Sequence, residues 1–487
     1  MKADDGTGDS AAYRFEPLAR RGLLLGLGFG ELAVLAVALV VAVLVVHACR
    51  GAAGLAGGVA VLAAGGALCR PVAGRAPLHW AVVCATFAGR PKRSVLRPFR
   101  AADRPPLSVG PLTAPGAGAA PQRSRFPLKA FAPRTWVDQV GPTPGHGAVG
   151  ALLDTRAGTA AAVLRVRGSP FYLLDASEKQ RKLASWAGAL ESVCASRNSL
   201  VRLQWCQRAH QDGSRALAAH LSKAGDPASP GYANHHELVE SAGERAWRHD
   251  TFVVVVTRCA PRRRRLDDHG AKVLLNEVEA FRTQLHNAGF SCDGVLDGDG
   301  LSAALGNFLV PGLDRSPRAH PWPLAIEERW DAFHADGFWY RTYWVAEWPR
   351  HHVGPDFLSP LLIGKGRRCF SVVLAPVPPE RAARDAESAR TAQAADAHLR
   401  AQGGFLETAR QRRRAEALEG REELLADGRG SFCFAGYVAV SGGSLEELDR
   451  SCAELERAAA ASKLYLRLLF GQQRQALTWA LPFGGGI

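Results

Sequence analysis

Hydrophobic positions are arranged in two different ways along this chain. Near the start they are continuous. Leu32–Cys49 holds eighteen residues with no acidic or strongly basic side chain, and after Arg50 comes Gly51–Cys69, nineteen more. At about 1.5 Å per residue, each run crosses a hydrocarbon core of about 30 Å by a narrow margin. The pattern predicts a hairpin of two transmembrane helices, about 32–49 and 51–69, too extended for a cleaved signal peptide. Six of the nineteen residues in the second run are glycine, and Gly54-x-x-x-Gly58 offers a small-residue face against which the first helix can pack. The next apolar run, Leu78–Gly89, is only a dozen residues long. It predicts an interfacial helix over about 78–90, with Trp80 near the lipid headgroups.

Residues 101–147 lose all periodicity and are rich in Pro, Gly and Ala, which reads as a linker that reaches the first strand near Ala148. Beyond it the hydrophobic pattern alternates between periods of two and 3.6. Ala161–Arg167 and Phe171–Leu174 read as paired strands around a Gly168–Pro170 turn. Leu200–Gln207 and Thr251–Thr257 are further strands, with helices over Ser177–Arg197 and Leu266–Ala288. The same grammar returns in the second half. Arg341–Glu347, Arg368–Ala375, Phe432–Val440 and Lys463–Leu468 read as strands, and Ser444–Ala461 as a helix opened by a serine cap with Glu447 three residues on. A charged helical region from Pro379 to Ala426, divided at Gly403-Gly404, predicts a projecting helical hairpin. The expected fold class is α+β: a membrane anchor over 1–100, the linker, and two ferredoxin-like mixed units over 148–310 and 320–487, with helices on one face of each sheet.

Charge gives the hairpin an orientation. The chain carries +14, and residues 1–125 account for +9 of it, fifteen Lys and Arg against six Asp and Glu. Arg14, Arg20 and Arg21 precede the first span. Arg70, Arg75, Arg90, Lys92, Arg93, Arg97, Arg100 and Arg104 follow the second, with Arg50 alone between. The positive-inside bias places both ends in the cytoplasm, and Trp80, Arg90, Lys92, Arg93, Arg97 and Arg100 become the expected lipid-facing residues. Charge gathered beside the membrane rather than on the folded domain favours a lipid partner and does not indicate nucleic acid. The ten cysteines are scattered singly, without a C-x-x-C pair, as expected of small buried side chains in a reducing compartment.

Candidate chemistry is sparse. There is no phosphate-binding loop: Gly364-Lys365-Gly366 lacks both the preceding glycine spacing and the following Ser or Thr. A nucleophile elbow, an H-E-x-x-H helix and a dinucleotide fingerprint are likewise missing. The expectation is therefore a protein with no catalytic residue, metal or cofactor. His235-His236 with Glu237, and His351-His352 with Asp356, read as solvated or capping groups, because adjacent side chains on a regular element point apart. Asp293, Asp297 and Asp299 lack the bidentate Glu of a calcium loop and read as Asx turns. Arg262–Arg265 has no interleaved aromatic residue to stack a base and reads as a solvated loop. The densest aromatic segment, Trp322–Arg350, reads as a strand placing Trp339, Tyr343, Trp344 and Trp348 in a core or at an interface.

The order of RGLLLG, the hydrophobic hairpin, FYLLD, RLQW, RTYWVAEWPR, the TAR-containing charged helix, GYVAVS and LFGQQRQALTWALPFG resembles an actinobacterial family of PrgI-like integral membrane proteins. That family carries a domain similar to the N-terminal part of the conjugative-transfer ATPases of type IV secretion. The resemblance covers almost the whole chain and implies the docking half of such a machine without its motor. It thus implies a non-catalytic inner-membrane component that scaffolds a separate hexameric ATPase beside other conjugation or secretion subunits, with oligomerisation possible in principle. A membrane subunit of a type VII system, and a membrane-anchored enzyme with an unrecognised active site, are the alternatives.

Overall fold

The computed structural model describes residues 29–49, 51–70, 75, 77–95, 126–127, 135–140, 148–167, 171–195, 199–211, 215–243, 247–259, 266–309, 323, 325–350, 352–402 and 408–486. Three helices come first: α1 (Phe29–Ala48), α2 (Ala52–Cys69) and α3 (Pro77–Ala88). Strands β1 (Arg93–Val95), β2 (Phe126–Pro127) and β3 (Thr135–Val140) lead into β4 (Val149–Asp154), β5 (Thr159–Arg167), α4 (Ala176–Ala195) and β6 (Leu200–Gln211). Next come α5 (Arg215–Ala224), α6 (Tyr232–Gly243), β7 (Trp247–Arg258), α7 (Asp268–Asn287), β8 (Ser291–Val295) and α8 (Gly298–Leu309). The second half holds β9 (Ala325–Glu328), β10 (Phe333–Ala335), β11 (Phe338–Glu347), α9 (Ser359–Ile363), β12 (Arg368–Val377), α10 (Pro379–Gln402) and α11 (Ala409–Ala426). It closes with β13 (Ser431–Gly442), α12 (Leu445–Ala461), β14 (Tyr465–Leu468) and α13 (Gln473–Ala480).

The chain divides into two compact units. One comprises residues 16–91 with 380–428, the other the strands and their helices, 92–379 with 429–487. In the first, α1 and α2 form an antiparallel pair fitted together at glycine. A Cβ on Gly58 would lie 2.7 Å from Val46 Cγ2, and one on Gly65 would lie 2.6 Å from the Ala38 Cβ. Outward, Val37, Leu44, Leu55 and Val59 are exposed. Among the described residues one helix, α2, is long and apolar enough to cross a membrane by length and composition. The apolar stretch of α1 is Leu32–Ala48, one residue shorter than expected, which spans about 26 Å against a core of about 30 Å. The expected pair of spans is thus reduced to one. The charged hairpin is present as α10 and α11, tied by Arg390 to Glu422 at 2.5 Å; α11 opens on a reciprocal cap between Thr408 and Gln411. Gly403-Gly404, most of the linker, Arg97, Arg100, Arg262–Arg265 and His351 lie outside the described residues.

The other unit is a mixed α/β body built on one antiparallel sheet, of fourteen strands among the described residues. Twelve follow the order β1-β9-β10-β11-β13-β12-β6-β7-β5-β4-β3-β2. Strands β8 and β14 share an edge with β4 and β10, on β5 and β11 respectively. Each half therefore carries the same local order, β8-β5-β7-β6 and β14-β11-β13-β12, and the halves join where β6 pairs with β12. The expected two sheets are one sheet, because Leu203–Ala209 and Arg368–Leu374 present unpaired ladders of matching length to each other. The sheet also begins earlier than residue 148, since β3 extends it over Leu152 and Leu153.

Helices cover both faces, not one. Alternation sends Val253 and Val255 toward α4 and α7, while Val254 and Val256 pack toward α8 and α13. In the second half Val438 and Val440 meet α12, with Ala439 and Tyr437 on the α13 side. The expected strand at Phe171–Leu174 is a turn of 3-10 helix closed by Leu174 N–H on the Phe171 carbonyl; Leu173, almost fully exposed, has no face to pack against. The serine cap of α12 is as expected: Ser444 Oγ accepts from Glu447 N, and the Glu447 carboxylate accepts from Gly443 N at 2.8 Å.

At the edge of β11, Thr342 falls in the gap between β10 and β14. Its backbone is satisfied by a side chain: Gln473 Oε1 accepts from Thr342 N at 2.8 Å, and Gln473 Nε2 donates to the Thr342 and Leu469 carbonyls. Replacing this wholly buried amide by leucine orphans the Thr342 N–H and is expected to lower unfolding stability by about 1–3 kcal/mol. Denaturant titration of Gln473→Leu checks it, and an unchanged midpoint would refute the bridging role.

Candidate functional site

The seam between the halves is polar on the α8/α13 side. Gln204 on β6 is fully buried, and its Nε2 reaches Ser371 Oγ at 2.7 Å and the Trp479 and Leu481 carbonyls; its Oε1 accepts from Gly484 N at 2.7 Å. Gly484 has φ +69° and no room for a side chain, since a Cβ would lie 2.4 Å from Val256 Cγ2. One residue pair along, the thiols of Cys206 and Cys369 are 3.2 Å apart, and Cys369 donates to the Ala480 carbonyl at 3.0 Å. Burial pushes the Cys206 thiol far above its ordinary pKa, so it is an inert packing group rather than a nucleophile.

Past the thiols the seam opens into a small cleft of about 30 Å³, far below drug-sized pockets and matched only to a group of a few atoms. Its polar lining comes from Arg208 and His210 on β6, Tyr340 on β11, Arg367 just before β12, and Ser441 on β13. Phe308, Leu477 and Leu481 supply apolar walls, and among the described residues no Asp or Glu lines it. Arg208, only 8% exposed, donates to the Asn307 carbonyl at 2.6 Å and lies over the Phe308 ring. It thereby caps the carbonyl end of α8, where a cation is favoured. Tyr340 hydroxyl donates to the Leu309 carbonyl of the same helix end. Burial drives the Tyr340 phenol well above its usual pKa against the opposing charges of Arg208 and Arg367, so it stays a neutral donor. Arg367 stacks over Phe338 at 5.2 Å. Arg368, although next in sequence, uses its side chain on the opposite face, donating to the Lys365 carbonyl.

Behind the cleft, Asp250 on β7 organises the basic groups. His210 Nε2 lies 3.1 Å from its carboxylate, with Arg248 at 3.1 Å and Arg165 at 3.8 Å. Burial alone would raise its pKa; the hydrogen bond from His210 and the charges of Arg248 and Arg165 outweigh it and hold the carboxyl well below the usual range. Burial lowers the pKa of Arg208, with Asp250 opposing, and Arg208 has no ion-pair partner among the described residues.

The residues singled out from sequence are dispersed. Trp80 sits on α3 beneath the Arg75 guanidinium at 5.6 Å, and Arg90 follows the helix. Lys92 is exposed, whereas Arg93 lies in β1 and reaches Glu327 at 3.3 Å. Trp339 stacks between His334 and Arg329, and Tyr343 is buried on the same face with its hydroxyl toward Glu456. Trp344 points to the other face under Arg467. Trp348 packs edge-on against Phe434 over Gly436, whose missing side chain makes the space. Asp297 caps α8 through Gly300 N, and Asp293 pairs with Arg167. Among the described residues no group of three or more His, Cys, Asp or Glu side chains could hold a metal ion. The cleft itself was missed from sequence. Its signal is an arginine at position 208, on the alternation phase of Gln204 and Cys206 in a central strand, where a charge must have a reason.

No family model matches the chain, and no curated protein does.

A depressed Asp250 pKa contributes stability that is present above the unfolded carboxyl pKa of about 4 and is lost as pH falls toward the folded value. Asp250→Asn is therefore expected to be destabilising at pH 7 and progressively less so below about pH 4. Melting curves of both proteins from neutral to acid pH check it, and a deficit that stays constant with pH would exclude the ionic role.

Proposed function

We propose that the protein is a non-catalytic inner-membrane scaffold of a conjugation or type IV secretion-like apparatus, which docks a separate cytosolic ATPase on its α+β body. The observation that carries the proposal is the union, in one chain, of a glycine-fitted apolar helical hairpin with a broad antiparallel body and a long charged helical hairpin. The chain-wide resemblance to PrgI-like membrane proteins supports it. The repeated local order β8-β5-β7-β6 and β14-β11-β13-β12 supports reading each half as a ferredoxin-like split β-α-β unit, with α4 and α7 in the first and α9 and α12 in the second. The exposed apolar surface of α1 and α2 supports a two-pass anchor, with α1 as the shorter of the two spans. The basic clusters on either side of the hairpin support cytoplasmic termini.

Two measurements test this. Cys49, exposed at the end of α1, is expected to react with a membrane-impermeant maleimide applied to intact cells, whereas Cys433 on β13 reacts only after permeabilisation. The reverse pattern would overturn the orientation. Full-length protein solubilised from native membranes is expected to bring down a phosphate-loop ATPase at fixed stoichiometry. Its repeated absence would remove the docking role, and nucleotide hydrolysis by the purified chain would favour the enzyme alternative.

A further inference from the structure

We propose that the seam cleft is a binding site for a small phosphate-type oxyanion, held between Arg208 from one half of the body and Arg367 from the other. Three observations carry it together. Among the described residues the polar lining consists of cations and neutral groups, with no carboxylate to neutralise them. Arg208 spends one of its five N–H donors on Asn307, and its nearest anion, Asp250, is already engaged by His210, Arg248 and Arg165. Arg367 is fixed by the Phe338 ring and has no ion-pair partner among the described residues, so its whole planar fork is available.

Ser441 adds a hydroxyl without a hydrogen-bond partner among the described residues, and Ser441 N–H is bound to the Arg367 carbonyl at 3.2 Å, which locks the two residues side by side. A buried guanidinium without an ion-pair partner is costly, and an entering oxyanion removes that cost while accepting several charge-assisted hydrogen bonds. The apolar walls of Phe308, Leu477 and Leu481 lower the polarity on one side of the cleft, which strengthens the charge-assisted bonds formed there. The ligand bridges β6, β12 and β13, so it fastens the two halves at the place where they are joined.

The test uses the full-length protein in detergent, titrated with inorganic phosphate at constant ionic strength, followed by calorimetry and by melting temperature. One saturable site is expected, with a rise in melting temperature as ligand occupies the folded state. Arg367→Gln, a half-exposed position, is expected to weaken binding by about tenfold or more while leaving the ligand-free melting temperature unchanged. Arg208→Gln is expected to abolish binding, and Arg367→Gln decides the matter where that variant folds poorly. A parallel titration with adenosine monophosphate separates the sources: tighter binding assigns a phosphate monoester, and equal or weaker binding assigns the free ion. No saturable binding up to about 10 mM phosphate, or an affinity unaffected by Arg367→Gln, would overturn the proposal.

Discussion

The pairing of β6 with β12 is the constraint on which the rest of the body depends. Each strand is the last of its own half, and each would otherwise offer a ladder of unpaired amides to solvent or to another chain. Their antiparallel register from Leu203–Leu374 to Ala209–Arg368 converts two short sheets into one. The consequence is a continuous central layer in which neither half has an independent core on the α8/α13 side. Residues of both halves enter a single cluster there, from Val163 and Leu305 to Tyr437 and Leu477.

That junction is also where polar groups are buried, for a physical reason. A seam made of aliphatic side chains alone would slide, because hydrophobic contact has no direction. Gln204, Ser371 and the carbonyls following α13 impose one register, since any shift leaves a buried amide without partners. Gly484 has to be glycine to bring its N–H to Gln204 without colliding with Val256. The closing segment is thus bound to the first half of the chain, 280 residues away in sequence, by one side-chain amide. Farther along, Arg208 and Tyr340 take the carbonyl end of α8, and the same geometry that caps the helix leaves guanidinium donors facing an open cleft.

Much of the local structure was legible in the residues. Most strands, the serine cap at Ser444, the charged hairpin and the apolar helices follow from periodicity and punctuation, which act over a few neighbours. What failed did so at longer range. Phe171–Leu174 has a strand's composition but no partner edge. β2 and β3 lie in a Pro/Gly-rich stretch whose pairing to β4 no local pattern announces. Helices on both faces follow from crossovers that periodicity does not encode, and the aromatic residues of β11 divide between the faces, Tyr343 to one and Trp344 to the other.

The sequence by itself determined that this chain alternates strands and helices, that it carries a glycine-rich apolar helix long enough for a membrane, and that its positive charge gathers around that segment. These are one-dimensional properties, set by composition and spacing. Only the tertiary structure decided that the two halves share one sheet, that Gln204 and Gln473 satisfy distant backbones, and that Arg208 and Arg367 line one cleft. The two arginines lie 159 positions apart, and strand pairing over such separations depends on which edges are left open once each half has folded.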